Sequence, residues 1–279
     1  MKDIFEVIKE KKVALVAHRG ACGGNIPCNS MAAFQAAIYA GADVVELDVE
    51  MSRDGKLFIQ HPGMERVHLR MSDSIKRYPA SFVEQLYLSN WDTLRTEQRI
   101  PYLEEALTYL CDKCIVNLDK FGDHPKEIAE LVRKLGVEER VLAKVPYRKD
   151  LLDAAEKYAP DLPFMVYAWD VEEAHADLMK RNLRYVGMEV LFRDENSAAV
   201  DSAFIKRMHE DGKFVWVNAI VYNYNEVLSA GHNDDVSVTG NPENGWGWLA
   251  DRGFDIIQTD FLYQSRRFLE DTGRRNKNA

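Results

Sequence analysis

No run of apolar residues in this 279-residue chain approaches the ~20 needed to cross a bilayer, so no transmembrane helix is expected. No export signal is expected either. Met1 to Lys12 is charged throughout, and the apolar run after it falls short of the ~7–15 residues of a signal h-region. As it stands the chain reads as soluble and cytoplasmic, or as periplasmic or secreted if a signal peptide has been trimmed. Positive charge is in deficit, with 36 Lys and Arg against 45 Asp and Glu and a net charge of -9. Nucleic acid and anionic membrane surfaces are therefore not expected as bulk partners, and an anionic substrate would need local cations to hold it. Cysteine is scarce. Cys111 and Cys114 have CxxC spacing without two further ligands for zinc, and they read as structural thiols, one ending a helix and one starting a strand. Cys22 and Cys28 share a loop, and no disulfide is expected between them. What remains, 46% hydrophobic and 29% charged residues, suits a soluble globular protein with one large core or two small ones.

Short β-branched runs alternate with amphipathic stretches. Candidate strands span 13–18, 43–49, 115–119, 141–145, 163–168, 186–190, 214–218 and 255–259. Helix-like stretches span 29–40, 103–112, 124–135, 148–158, 171–180, 198–211 and 261–270. In the third of these, Ile128, Leu131, Val132 and Leu135 fall at helical spacing. Asn29 is the expected N-cap of the first helix and Gly41 its stop. Eight βα repeats in ~250 residues is the pattern of an α/β (β/α)8 TIM barrel, here a single domain over 1–279. A doubly wound open sheet uses the same alternation, but acid-rich strand ends favour the barrel, whose sites collect at the C-terminal ends of its strands.

Two stretches break the rhythm. Ser52-Arg53-Asp54-Gly55 is a turn signal, and 43–61 reads as a hairpin that rises above the barrel mouth and brings His61 back to the level of Asp48. The segment 62–100 that follows has no strong strand and only a weak helical pattern, and it is expected to be a small insertion beside the mouth. The second break, 220–246, is rich in Asn, Asp and Gly and should lie over the same face. The tail from Gly273 to Ala279 is expected to fray.

Polar side chains gather at the ends of three apolar runs: His18-Arg19-Gly20, then Glu46-Leu47-Asp48, then His61. Glu46 and Asp48 are two apart and share a strand face, which must be the inner one, because carboxylates against an apolar helix layer are untenable. Asn117 and Asp119 repeat the spacing on the next barrel strand. Converging carboxylates repel one another unless a cation sits between them, and hard oxygen ligands select Mg²⁺ or Ca²⁺ over zinc. The alternative is that they pair with Arg19 or Lys144. His18 and His61, flanking this cluster, read as general acid and base, since an imidazole titrates near neutral pH. Arg19 is a forked donor suited to phosphate, and Gly20 permits a tight turn.

These residues resemble the glycerophosphodiester phosphodiesterase family. The likeness rests on Ala17-His18-Arg19-Gly20, Pro27-Cys28-Asn29-Ser30, the stretch from Gly41 to Val49 around Glu46 and Asp48, Arg53-Asp54-Gly55, Phe58-Ile59-Gln60-His61, Ile100 to Ala106 and Asp255 to Asp260. It runs from about residue 13 to about 265. The resemblance implies a phosphodiesterase barrel with a divalent metal, Mg²⁺ or Ca²⁺, held by Glu46, Asp48 and Asp119, with His18 and His61 as acid and base and Arg19 as a phosphate ligand. It further implies that a substrate hydroxyl attacks phosphorus to form a cyclic phosphate, and a place in lipid and glycerol metabolism. Three positions depart from the family pattern. Cys28 stands where a glutamate is common, Pro62 where an aspartate follows the second histidine, and Phe121 where a lysine follows the third acid by two. Lys120 should face outward by alternation, which leaves Lys144 as the candidate for the missing cation. An aspartate in the third position is also similar to the related sphingomyelinase D-like barrels.

Glu189, Asn218, Tyr167 and Trp169 are expected as pocket walls, and Trp216 either as core or as a contact for the glycerol or head group. His232-Asn233-Asp234-Asp235 is expected as a solvated loop, Asp260 as a structural residue, and His68, His124, His175 and His209 as surface or capping residues. The expected activity is metal-dependent hydrolysis of a small glycerophosphodiester to glycerol 3-phosphate and an alcohol. The alternatives are a phosphodiesterase acting on a lysophospholipid or another head group, and a barrel that binds a phosphorylated ligand without cutting it.

Overall fold

Successive residues of a strand face opposite sides of its sheet, and this chain uses the two sides differently. The structure is a computed structural model that describes residues 2–223 and 225–277. Its strands are β1 (Ala14–Ala17), β2 (Val44–Met51), β3 (Leu57–Ile59), β4 (Tyr87–Ser89), β5 (Arg95–Arg99), β6 (Ile115–Asp119), β7 (Val141–Pro146), β8 (Phe164–Ala168), β9 (Tyr185–Val190), β10 (Phe214–Asn218) and β11 (Ile256–Thr259). The barrel strands follow the order β1-β11-β10-β9-β8-β7-β6-β2, all parallel, and β1 pairs back onto β2 through Val16↔Val44 and Ala17↔Val45. That closure makes the TIM barrel and excludes the open sheet. Outward residues such as Leu15, Leu47, Val116 and Leu118 pack against the surrounding helices. Inward residues at the lower end, among them Val16, Val44, Ile115, Leu142, Phe214 and Trp216, form an apolar plug together with Ile4. The same inward parity continues upward as His18, Glu46, Asp48, Asn117, Asp119, Lys144, Asn218 and Gln258. This change from apolar to polar along one face makes the upper end a site.

Trp216 belongs to the plug. It is wholly buried and lies outside the cavity lining, so it is core rather than a substrate contact. The reason is its height: it stands two residues below Asn218 on the inward face of β10.

Above the barrel, β2 runs on and pairs antiparallel with β3 (Val49↔Ile59, Glu50↔Phe58, Met51↔Leu57), the expected hairpin. The segment after it holds more structure than its pattern suggested. β4 and β5 pair antiparallel, and Phe58, Leu69, Ile75, Val83, Leu88 and Ile100 form a small core of their own. β5 escaped detection because only Thr96 of its five residues is buried, so no hydrophobic alternation marks it. The first helix after β1, Met31–Ala40, is capped by Ser30, whose side chain accepts from the Ala33 amide; Asn29 is engaged elsewhere. No helix among the described residues is long and apolar enough to cross a membrane.

The tail is tied down through Lys277, contrary to expectation; Asn278 and Ala279 lie outside the described residues. Arg275 is 1% exposed and donates to the Val13 carbonyl at 2.6 Å and to both oxygens of Asp43 at 2.6 and 3.1 Å. Asn276 reaches the Glu10 carbonyl at 2.7 Å. Arg275→Ala would strand the Asp43 carboxylate under the barrel, and urea unfolding should show a loss of about 3–5 kcal/mol. A loss of about 1 kcal/mol or less, as for an exposed ion pair, would contradict this reading.

Candidate active site

The chain leaves β1 through a left-handed turn, with Arg19 at φ 56° and Gly20 at φ 82°. A Cβ on Gly20 would lie 2.7 Å from the Ala33 backbone, so only glycine fits there. The turn swings the Arg19 amide to Glu46 Oε2 (3.0 Å) and its Nε to within 3.0 Å of Asp48 Oδ2. Asn29, also left-handed at φ 56°, donates its side-chain amide to Asp48 Oδ2 at 2.8 Å. Left-handed backbone at a non-glycine residue costs roughly 1–2 kcal/mol, and both residues meet that cost while holding the same carboxylate.

His18 Nδ1 faces Asp260 Oδ1 at 2.8 Å. Asp260 is fixed in turn by Asp234, whose Oδ2 accepts the Asp260 amide at 2.8 Å while its Oδ1 accepts from Trp246 Nε1 and Thr259 Oγ1, each at 2.6 Å. Asp234 is thus a buried brace and not part of a solvated loop, and burial pushes its carboxyl up to about 6. Burial pulls the His18 imidazole down, but the Asp260 carboxylate and its hydrogen bond outweigh this and leave it above the ordinary histidine value.

His61 returns as expected, because the Gln60 amide donates to the Asp48 carbonyl at 2.9 Å. Its Nδ1 donates to the Pro62 carbonyl at 2.8 Å, which leaves Nε2 toward the cavity, 3.9 Å from Asp48 Oδ1. Burial, with Arg19 and Lys120 nearby, holds His61 below its ordinary value despite Asp48.

Glu46, Asp48 and Asp119 each offer an oxygen within 4.8 Å of the others. Asp48 Oδ1 is buried and accepts no hydrogen bond. Burial, then the charge of Asp48, pushes Glu46 above the usual carboxylate range. Burial opposes the charge on Asp48 and Asp119 too, but Arg19, His61 and Lys120 hold the first down, and Lys144 and Lys120 the second. Three hard oxygens at this spacing, one of them orphaned, suit Mg²⁺ or Ca²⁺.

Lys120 departs from expectation. Alternation would turn it outward, but β6 ends at Asp119 and Lys120 adopts a left-handed backbone (φ 60°, ψ 16°). Its Nζ lies 2.8 Å from Asp119 Oδ2 and 3.8 Å from Asp48 Oδ1, and it lines the cavity. Lys144 also borders the cavity, but it is 4% exposed and paired with Glu189 at 3.0 Å; Asn218 donates to the other Glu189 oxygen at 2.6 Å. The cavity, about 250 Å³, is lined by Glu46, Asp119, Glu189, Arg19, Lys120 and Lys144, and also by the largely apolar side chains of Trp169, Leu191, Ile220, Tyr222 and Leu228.

Three of the remaining histidines, His124, His175 and His209, are each held by an acid. His124 Nε2 donates to Glu50 Oε1 at 2.8 Å, His209 Nε2 donates to Asp255 Oδ2 at 2.9 Å, and His175 is buried between Tyr185 and Asp211. His68 stands on the short helix Glu65–His68 with its Nδ1 unpartnered. All four cysteines are free. Asp260 was legible in principle, since Ile256, Gln258 and Asp260 share one strand parity. Periodicity does not give the bond of Asn29 to Asp48 or the place of Lys120 in the cavity, because both depend on left-handed backbone.

The model of the "Glycerophosphoryl diester phosphodiesterase family" matches residues 18–263. A glycerophosphodiester phosphodiesterase of Bacillus altitudinis is 28% identical over 56% of this chain and 67% of its own length. Human lysophospholipase D is 28% identical over 54% of this chain and 50% of its own length, so the chain spans about two thirds or less of these relatives. Among solved structures, a glycerophosphoryl diester phosphodiesterase from Parabacteroides distasonis superposes with a TM-score of 0.77 at 18% identity, covering 98% of this chain and 93% of that one. At that identity the likeness speaks for the fold.

The His18–Asp260 pair makes a signed prediction. Asp260→Asn removes the charge that favours the imidazolium, so the His18 pKa, followed by NMR titration, should fall. An unchanged or higher value would contradict the pairing.

Proposed function

The chain belongs to the glycerophosphoryl diester phosphodiesterase family, and from that premise we propose that it hydrolyses glycerophosphodiesters to glycerol 3-phosphate and an alcohol with a divalent metal. The observation that carries this reading is the pair of imidazoles beside the acid cluster, each with Nδ1 engaged and Nε2 left for the substrate. A bound Mg²⁺ or Ca²⁺ on Glu46, Asp48 and Asp119 would neutralise negative charge on the phosphoryl oxygens.

His61, set against a neutral carbonyl and flanked by two cations, is the base that takes the proton of the glycerol hydroxyl. That oxygen bonds to phosphorus, and the alcohol oxygen departs with a proton from His18, whose charged form Asp260 supports. A cyclic phosphate results. Water then opens the ring, with His18 accepting its proton and His61 returning one to the ring oxygen. Arg19 offers its remaining N–H donors to the phosphate. Lys144 is committed to Glu189, so Lys120 is the second cation facing the phosphate.

A second reading, in which the substrate is a lysophospholipid, draws on the largely apolar cavity lining of Trp169, Leu191, Ile220, Tyr222 and Leu228, and on the activity named for the human relative. Both readings meet one experiment: single-turnover assays with metal on glycerophosphocholine and lysophosphatidylcholine, with products identified by phosphorus NMR. His18→Ala and His61→Ala should each slow glycerophosphocholine cleavage by about 10²–10⁴-fold. Wild-type rates in both variants would sink the mechanism, and turnover of lysophosphatidylcholine alone would select the second reading.

A further inference from the structure

The turn between β4 and β5 holds Trp91 and Leu94 in solvent at 68% and 61% exposure. It is an ordered turn: the Asn90 amide donates to the Leu94 carbonyl at 2.9 Å, and the Leu94 amide donates to Asn90 Oδ1 at 2.9 Å. Single exposed apolar side chains are ordinary, but these have neighbours of a particular kind. Thr93, between them, shares an open concavity with Arg66, Val67 and Arg70. Val67 is 42% exposed. Arg66 and Arg70 are exposed and have no ion-pair partner among the described residues. Arg95, next along, stacks its guanidinium 3.8 Å over the Tyr87 ring, and Asp92 is the one acid within the turn.

The patch sits beside the mouth. Asn90 Nδ2 donates to Asn25 Oδ1 at 3.1 Å, which joins the turn to the loop between His18 and Asn29. From β10 comes a second exposed apolar group at the same end of the barrel, Tyr222 and Val227, of which Tyr222 also lines the cavity.

We propose that the β4–β5 turn and the Arg66–Arg70 segment dock the chain onto an anionic lipid surface with the cavity mouth toward it. Indole suits the depth of the lipid head groups, and leucine reaches just beyond it. Unpaired guanidinium groups attract anionic head groups within a Debye length, where they outweigh the more distant net charge of -9. This inference is independent of which diester is cut, because its test reads binding.

The test is co-sedimentation of the full chain at low salt with vesicles of phosphatidylcholine containing about a third phosphatidylglycerol, against phosphatidylcholine alone. Binding should require the anionic lipid and weaken with salt. Trp91→Ala with Leu94→Ala should abolish it, and Arg66→Gln and Arg70→Gln should each lower partitioning about fivefold, with thermal melts and glycerophosphocholine turnover unchanged. The proposal is overturned if the wild-type chain fails to bind, if neutral vesicles bind equally well, or if the variants bind like wild type. It is also overturned if light scattering shows self-association that Trp91→Ala removes while no vesicle binding occurs, since the patch would then serve a second copy of the chain.

Discussion

Three carboxylates within 4.8 Å of one another, two buried and Asp119 half-buried, repel, by about 3 kcal/mol or more per pair at an effective dielectric of about 20. That is larger than the net worth of a typical hydrogen bond, about 1 kcal/mol. The upper barrel is organised around this repulsion. Arg19 and Asn29 take one oxygen of Asp48, Lys120 takes Asp119, and Glu46 is pushed toward its neutral form. The other Asp48 oxygen accepts no hydrogen bond, with Lys120 Nζ at 3.8 Å and His61 Nε2 at 3.9 Å its nearest cationic neighbours. A divalent cation would satisfy that oxygen and relieve all three repulsions together.

The same constraint explains the backbone around the site. Arg19, Asn29 and Lys120 are each left-handed without being glycine, and each brings a polar group to the acid cluster that an extended backbone would turn away. Further out, Asp234 braces Asp260, which orients His18, so the long loop after β10 supports the site from outside the cavity through Asp234 while its Glu226 lines the cavity. The hairpin β2–β3 does the same for His61.

What could be read from the sequence was whatever depends on periodicity. Alternation along β2 and β6 places Glu46, Asp48 and Asp119 inward, and the eight apolar runs become the eight barrel strands. Where the chain leaves regular geometry, periodicity carries no information. Lys120 follows Asp119 by one residue and faces the same cavity, because its φ is positive. Asn29 reads as a helix cap and serves Asp48 instead. Trp216 has the right parity but the wrong height, a distinction that composition cannot make. β5 and the tail carry few apolar residues, so their ordering by Thr96 and Arg275 left no pattern.

The most direct test of the cation-centred site is calorimetric titration of Mg²⁺ and of Ca²⁺ into the wild-type chain and into Asp48→Asn. One ion should bind per wild-type chain at millimolar concentration or below, with no binding to the variant. Equal binding to both, or none to the wild type, would contradict a site built around a metal.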